Sequence, residues 1–284
     1  MPVSLTISLA ELNALKNYIL KTGLKRATPT NEYELLRIED GKVKIVVYKS
    51  GKVVHNNSPE SKAVIDNTLR PETEYQYLLG SDETGKGEWY GPLVVVCVAL
   101  TPREVDKARK MGARDSKTIK ESEIRRLATL FRKENFFSTP RVLSPSTYNA
   151  RYEEFEREGK SLNDLLAWAH ARVIKDTVEK LKFDRAKVVI DKFDVAKTYQ
   201  RLYGLDTRRI EIIQKSKGES ETPVAVASII AKDIFEREVE GLSKVYGIDL
   251  KRTPVSRIPS SILPQVAKLH FSNVRKVAEE KAPR

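Results

Sequence analysis

Cysteine, histidine, tryptophan and methionine are all scarce in this 284-residue chain: one Cys, three His, two Trp and two Met. A single cysteine, Cys97, inside an apolar run excludes a disulfide within one chain and a cysteine-based zinc site, and reads as a small buried hydrophobe. His55, His170 and His270 stand in unrelated contexts and never at H-x-x-x-H spacing, so a histidine-rich zinc site lacks its ligands. His55 and His170 read as structural or surface residues. There is no G-x-S-x-G elbow, which argues against an α/β-hydrolase. No apolar run approaches the roughly 18–20 residues that span a bilayer. The opening stretch MPVSLTISLAELNALKNYIL has neither a basic leader nor a signal-type apolar core, and a cytoplasmic location is expected. Acidic residues are in deficit: 39 Asp+Glu against 51 Lys+Arg leave a net charge of +12. An excess of that size favours a polyanionic partner, nucleic acid first, although a lysine-rich surface also serves solubility.

What is present is organised in two parts. Leu5, Leu9, Leu12, Leu15, Ile19 and Leu20 form one apolar stripe, predicting a helix over 5–24. Strands follow at Tyr33–Ile38, Val43–Tyr48 and Lys52–His55, separated by turns at Asp40-Gly41 and Ser50-Gly51. A second helix at Ser61–Leu69 leads to the linker Arg70-Pro-Glu-Thr-Glu74, with a domain boundary near residue 72. The remainder alternates: strands at Tyr77–Ser81, Leu93–Leu100, Val188–Asp191 and Arg209–Gln214, helices at 102–111, 120–134, 161–182, 194–203 and 224–246. Alternation of this kind predicts an α/β domain of about 200 residues.

The stretch GSDETGKGEWYG, Gly80 to Gly91, imitates a phosphate-binding loop. It fails as one because Gly87 stands where a Ser or Thr should hold Mg²⁺. Asp82 and Glu83 would also repel the phosphates, and a β-branched run follows in place of a helix. Gly85, Gly87 and Gly91 are spaced G-x-G-x-x-x-G, which is not a dinucleotide fingerprint either. The stretch does offer two adjacent carboxylates at the end of an apolar strand. Asp191 ends a second such strand, and Glu219 lies shortly before a helix opened by Pro223. Singly, an Asp at a strand end is an ordinary turn former. Several carboxylates at one point require a cation, and oxygen ligands without His or Cys suit Mg²⁺ or Mn²⁺.

The joint order of motifs goes further. YLLGSDETGKG (Tyr77–Gly87), Asp115-Ser-Lys117, Val188-Val-Ile-Asp191, Lys217-Gly-Glu-Ser220 and AVASIIAK (Ala225–Lys232) resemble the type 2 ribonucleases H. Glu219 in place of the aspartate of the HII enzymes, and the ending Ala267–Asn273, are similar to the HIII subfamily; Val47–Val53 resembles that subfamily's TATA-binding-protein-like domain. The resemblance implies an α/β chain with an RNase H-like catalytic domain (73–284) preceded by a small α+β TATA-binding-protein-like domain (1–72). It also implies a two-metal-ion endoribonuclease that cuts the RNA strand of RNA/DNA hybrids, leaving 5′-phosphate and 3′-hydroxyl ends. Asp82, Glu83, Asp191 and Glu219 would hold two ions, Mg²⁺ or Mn²⁺, and the Gly85-Lys86-Gly87 turn would read the RNA 2′-hydroxyl through its backbone. Ser116 and Lys117 would support the site or bind phosphate, or else cap a helix. Lys42, Lys44, Tyr48, Lys49 and Lys52 would grip the hybrid, or else form a solvated sheet face. The partner expected is the hybrid duplex, with no membrane and no obligate protein. A non-catalytic hybrid binder and a nuclease acting at single ribonucleotides remain the rivals.

Overall fold

The computed structural model describes residues 2–7, 9–68, 75–114, 116, 119–191, 202, 205–206, 208–215 and 218–280; the side chains of Leu9, Ala10, Asp191, Gln214 and Glu219 lie outside this description. The chain divides into two compact units, Met1–Glu74 and Tyr75–Arg284.

In the first unit the order is β1 (Val3–Thr6), α1 (Leu9–Thr22), β2 (Arg26–Ala27), β3 (Glu34–Asp40), β4 (Val43–Tyr48), β5 (Lys52–His55) and α2 (Pro59–Thr68). The strands form an antiparallel sheet in the order β1-β5-β4-β3-β2. Period-two alternation decides its two faces. Leu36, Ile38, Val43, Ile45, Val47 and Val53 are buried, with Leu12, Leu15 and Ile19 of α1 and Val64 and Ile65 of α2. The intervening residues Lys44, Val46 and Tyr48 on β4, with Lys52 and Val54 on β5, project from the opposite face. Gly41 (φ 57°) and Gly51 (φ 82°) make the tight turns on either side of β4. The helix expected over 5–24 is shorter by a strand: Val3–Thr6 pairs with β5, because its alternate residues match a sheet edge as well as they match a helical stripe.

The second unit runs β6 (Tyr77–Thr84), β7 (Leu93–Leu100), α3 (Pro102–Met111), α4 (Glu121–Lys133), β8 (Phe137–Leu143), α5 (Pro145–Arg157), α6 (Leu162–Val178), β9 (Ala186–Asp191), β10 (Ile210–Lys215), α7 (Thr222–Tyr246), α8 (Leu263–Val266) and α9 (Ser272–Glu280). Its sheet has the order β10-β9-β6-β7-β8, with β6, β7 and β8 an antiparallel meander and β9 and β10 parallel to β6. Every residue of β7 is buried, which explains its unbroken apolar sequence. Val94, Val96, Val98 and Leu100 join the core under α3, α4 and α7, whereas Leu93, Val95, Cys97 and Ala99 join the core under α5 and α6.

Local chemistry sets the helix ends. A Thr101–Glu104 capping box with Pro102 inside it starts α3, and Gly112 (φ 99°) ends it. Pro223 starts α7 and Gly247 (φ 65°) ends it. The expected 102–111 helix is met residue for residue, while the 161–182 helix stops at Val178. The expected 194–203 helix falls, apart from Leu202, outside the described residues. β8 and α5 were not anticipated: β8 contains Pro140, tolerated on the edge strand it forms, and the apolar pattern of α5 is thin.

Candidate active site

Strand β6 continues past Ser81 to Thr84, so Asp82 and Glu83 lie within the strand and not in a loop after it. Alternation then sends them to opposite faces. Leu79, Ser81 and Glu83 share the α6 face, and Gly80 and Asp82 share the α7 face. Each carboxylate is held by the helix covering its own side.

On the α6 face, Nε2 of His170 lies 3.0 Å from Oε2 of Glu83, and Nδ1 of the same ring lies 2.8 Å from Oγ of Ser81. Ser81 is fully buried and His170 is 1% exposed. The sequence reading of His170 as an ordinary structural or surface residue missed this link; the available signal was a lone histidine on the otherwise apolar sheet-facing side of α6, between Leu166 and Val173. The ammonium of Lys86 stands 3.9 Å from the other Glu83 oxygen. Burial pushes the Glu83 carboxyl up, but the His170 hydrogen bond and charge, with Lys86, outweigh it and leave it below the usual range.

On the α7 face, Asp82 accepts hydrogen bonds from the Ser228 hydroxyl and from the Glu83 backbone N–H, the latter at 2.9 Å. Ser228 in turn lies 2.6 Å from the Ser116 hydroxyl. Burial, and then the neighbouring Glu83 charge, push the Asp82 carboxyl up to about 7. The close seating of α7 depends on Gly80: a β-carbon there would overlap the backbone N of Val224 and the carbonyl carbon of Pro223.

Asp191 ends β9, which runs parallel beside β6 with Gly80 next to Val189 and Ser81 next to Ile190. Asp82 and Asp191 are therefore the next residues on two adjacent strands. Glu219 sits in the 3-10 turn Gly218–Ser220, which packs against β9 and the start of α7. The structure thus gathers the backbones of all four acidic positions at one end of the strand pair and the helix that crosses it. Among the described residues, no three His, Cys, Asp or Glu side chains form a metal cluster, the Asp191 and Glu219 side chains being outside that description.

The turn after β6 has two different glycines. Gly85 is required by the fold, with φ 96° and a β-carbon position overlapping the Pro92 carbonyl oxygen and crowding Phe235. Gly87 is not: its φ is ordinary, it is exposed, and a β-carbon would meet nothing within 4 Å. The far side of the turn is clamped by Lys268. Its Nζ donates to the Glu88 and Tyr90 carbonyls at 2.9 Å each, and its backbone N–H donates to Trp89 at 2.7 Å. Lys268 is fully buried, and burial pushes its ammonium down to about 7.

Of the other expected residues, Ser116 has its hydroxyl engaged with Ser228, and Lys117 lies outside the described residues. Lys44, Tyr48 and Lys52 share the sheet face opposite the helices of the first unit; Lys42 and Lys49 lie at the two ends of β4, and Lys42 is 3.5 Å from Glu60. Tyr33, Tyr48, Lys49, Ser50, Lys52 and Val54 line a hollow of about 390 Å³ on that unit, to which Tyr33, exposed at 66%, was not assigned from sequence.

Comparison with known proteins agrees with this picture. The family model described as ribonuclease HII matches residues 79–254. A ribonuclease HIII of Chlamydia pneumoniae is 28% identical over 99% of this chain and 99% of its own length. A ribonuclease HIII of Streptococcus pneumoniae is 31% identical over 82% of this chain and 84% of its own. Among solved structures, Bst-RNase HIII in complex with Mn²⁺ superposes with a TM-score of 0.61 at 23% identity, each chain covered fully. Aquifex aeolicus RNase H3 gives 0.57 at 25% identity, over 95% of this chain and all of the other.

Proposed function

We propose a function from one premise: the chain belongs to the ribonuclease HIII family and is a ribonuclease. Its substrate is the RNA strand of an RNA/DNA hybrid, cut internally by a two-metal-ion mechanism that leaves 5′-phosphate and 3′-hydroxyl ends. The observation that carries this reading is the pair of carboxylates on β6 with Asp191 next in register on β9.

The donor set fits divalent ions. Two adjacent half-buried carboxylates, one pushed up to about 7 by desolvation and by its neighbour, cannot both ionise at low cost without a cation close by. All are hard oxygen donors, suited to Mg²⁺ or Mn²⁺. Asp82, Glu83, Asp191 and Glu219 would hold the ions. Bound there, two ions would supply Lewis-acid activation of the attacking water and charge stabilisation of the leaving 3′-oxygen.

The chain's own residues do the positioning. Gly87 leaves an open backbone at which a ribose can approach closely, and a contact to the 2′-hydroxyl distinguishes RNA from DNA. Gly85 and the Lys268 clamp hold that turn in shape, and Lys86 adds positive charge beside the scissile strand. Ser116 supports Asp82 through Ser228, and Lys117 would reach phosphate. In the first unit, Lys42, Lys44, Lys49 and Lys52 with Tyr48 grip the duplex without reading sequence. Among the described residues no helix is long and apolar enough to cross a membrane. The reading takes the enzyme as cytoplasmic and in no need of an obligate protein partner.

The test is cleavage of a labelled RNA/DNA hybrid beside a DNA duplex carrying one ribonucleotide, in Mg²⁺ or Mn²⁺, with Asp82→Asn as control. The expected result is metal-dependent cutting of the hybrid, weak cutting of the single-ribonucleotide duplex, and loss of both in the variant. Preferred cutting at the single ribonucleotide would replace the substrate assignment, and tight binding without cutting would leave a hybrid binder.

A further inference from the structure

The carboxylate of a metal ligand works only when it presents the correct oxygen in the correct direction, and a glutamate has three side-chain torsions with which to miss. In this protein a rigid group restrains that freedom. The His170 ring is 1% exposed, on the side of α6 that faces the sheet, and touches Glu83 through Nε2 at 3.0 Å and Ser81 through Nδ1 at 2.8 Å. Ser81 and Glu83 are two residues apart on one face of β6, so a single ring spans both.

The protons can be assigned from chemistry alone. An ionised carboxylate only accepts, so Nε2 carries the proton toward Glu83 whether the ring is neutral or charged. Nδ1 then either accepts or donates, and a hydroxyl can satisfy it in both cases. Ser81 is therefore the partner that suits either state of the ring, and it fixes which nitrogen faces the glutamate. A buried histidine that merely filled core space would not need its second nitrogen aimed at a site carboxylate.

We propose that His170 is a positioning residue: locked by Ser81, it ties one oxygen of Glu83 and leaves the other to a divalent ion. This deepens the reading above and rests on it for the identity of the ion. Asp82 has a corresponding arrangement on the opposite face, where Ser228 holds the carboxylate and Ser116 backs Ser228. The two ligands are thus oriented independently from two helices. Groups that support a metal ligand from outside typically cost about 10–100-fold in metal affinity or activity when removed.

The experiment compares His170→Gln with His170→Asn in the full chain. The glutamine amide nitrogen can take the place of Nε2 and keep the Glu83 bond; the shorter asparagine reaches the position of Nδ1 and keeps only the Ser81 bond. Four quantities are read: Mn²⁺ affinity by calorimetry without substrate, kcat and KM on the hybrid, and melting temperature without metal. The expected result is near-native Mn²⁺ affinity and kcat for His170→Gln, with a loss of about tenfold or more in both for His170→Asn. KM should stay unchanged in both variants and their melting temperatures should match. Equal Mn²⁺ affinities in the two variants would overturn the assignment, as would losses that follow melting temperature and not the identity of the side chain. Failure of the wild-type protein to cut a hybrid would sink the proposed function, and the Mn²⁺ comparison would still decide the role of His170.

Discussion

The backbone N of Val224 occupies the space that a β-carbon on Gly80 would need. Helix α7 is thereby seated directly on strand β6, two residues before Asp82, and its Ser228 comes within reach of that carboxylate one turn later. Gly80 therefore serves packing, whereas Gly87, with open space around it, has no packing reason to be glycine. The two positions should respond oppositely to alanine. Gly80→Ala should destabilise the domain by about 3 kcal/mol, because three backbone atoms at the start of α7 must move. Gly87→Ala should leave stability within about 0.5 kcal/mol. It should nevertheless cut the hybrid roughly tenfold to a hundredfold more slowly, since misplacement near 1 Å can cost that much. Chemical denaturation and initial rates on the same preparations check both; a Gly87→Ala enzyme with native rates would remove the turn from substrate recognition.

Asp82→Asn should abolish cutting and at the same time stabilise the metal-free protein. The folded-state pKa of Asp82 is raised to about 7, so the stability it contributes is present below its unfolded value near 4 and is lost as pH rises through about 7. At pH 8 without divalent ions the variant should exceed the wild type by about 2 kcal/mol, and at pH 4 the two should converge. Denaturation in chelator across that range provides the comparison.

Lys268 gives a pH dependence of the other sign. Burial lowers its folded-state pKa to about 7 from the ordinary lysine value of 10.5. Below pH 7 both folded and unfolded states carry the proton; between 7 and 10.5 only the unfolded state does, and stability rises with pH. Against Lys268→Met, which has no titrating group there, the wild type should gain stability steadily from pH 7 to pH 10. The variant also strands the Glu88 and Tyr90 carbonyls, so the turn should loosen and KM for the hybrid rise several-fold with kcat little changed.

In the first unit, replacing Lys44 and Lys52 by alanine should weaken hybrid binding by the same factor for every sequence tested. Each lysine lost should lower the slope of log affinity against log salt by about 0.9, with kcat untouched. Filter binding at several salt concentrations measures the slope; an unchanged slope would mean that the shared face of β4 and β5 does not meet phosphate.

Much of this was legible in the residues because local chemistry wrote it there. β7 is apolar throughout because both its faces are covered, and α3 carries its caps at both ends, so their boundaries could be read to the residue. Asp82, Glu83, Asp191 and Glu219 stood out as charges where apolar strands stop or a helix begins. His170, Ser81 and Lys268 could not be singled out that way. His170 carried only the faint signal of one histidine on an apolar helix face, a buried lysine looks like a surface residue in a string of letters, and their partners lie 87 to 180 residues away. β1 was absorbed into the helical stripe that follows it, because four residues cannot separate a period of 2 from one of 3.6.

The contact from Lys268 to the Glu88 carbonyl closes a span of 180 residues. The strands bearing the carboxylates are held by their own pairing and by two helices, whereas the turn proposed to face the sugar is shaped by a lysine 180 residues further along the chain. A fault confined to the segment around Lys268 would therefore reach the proposed choice between RNA and DNA while leaving the acids in place.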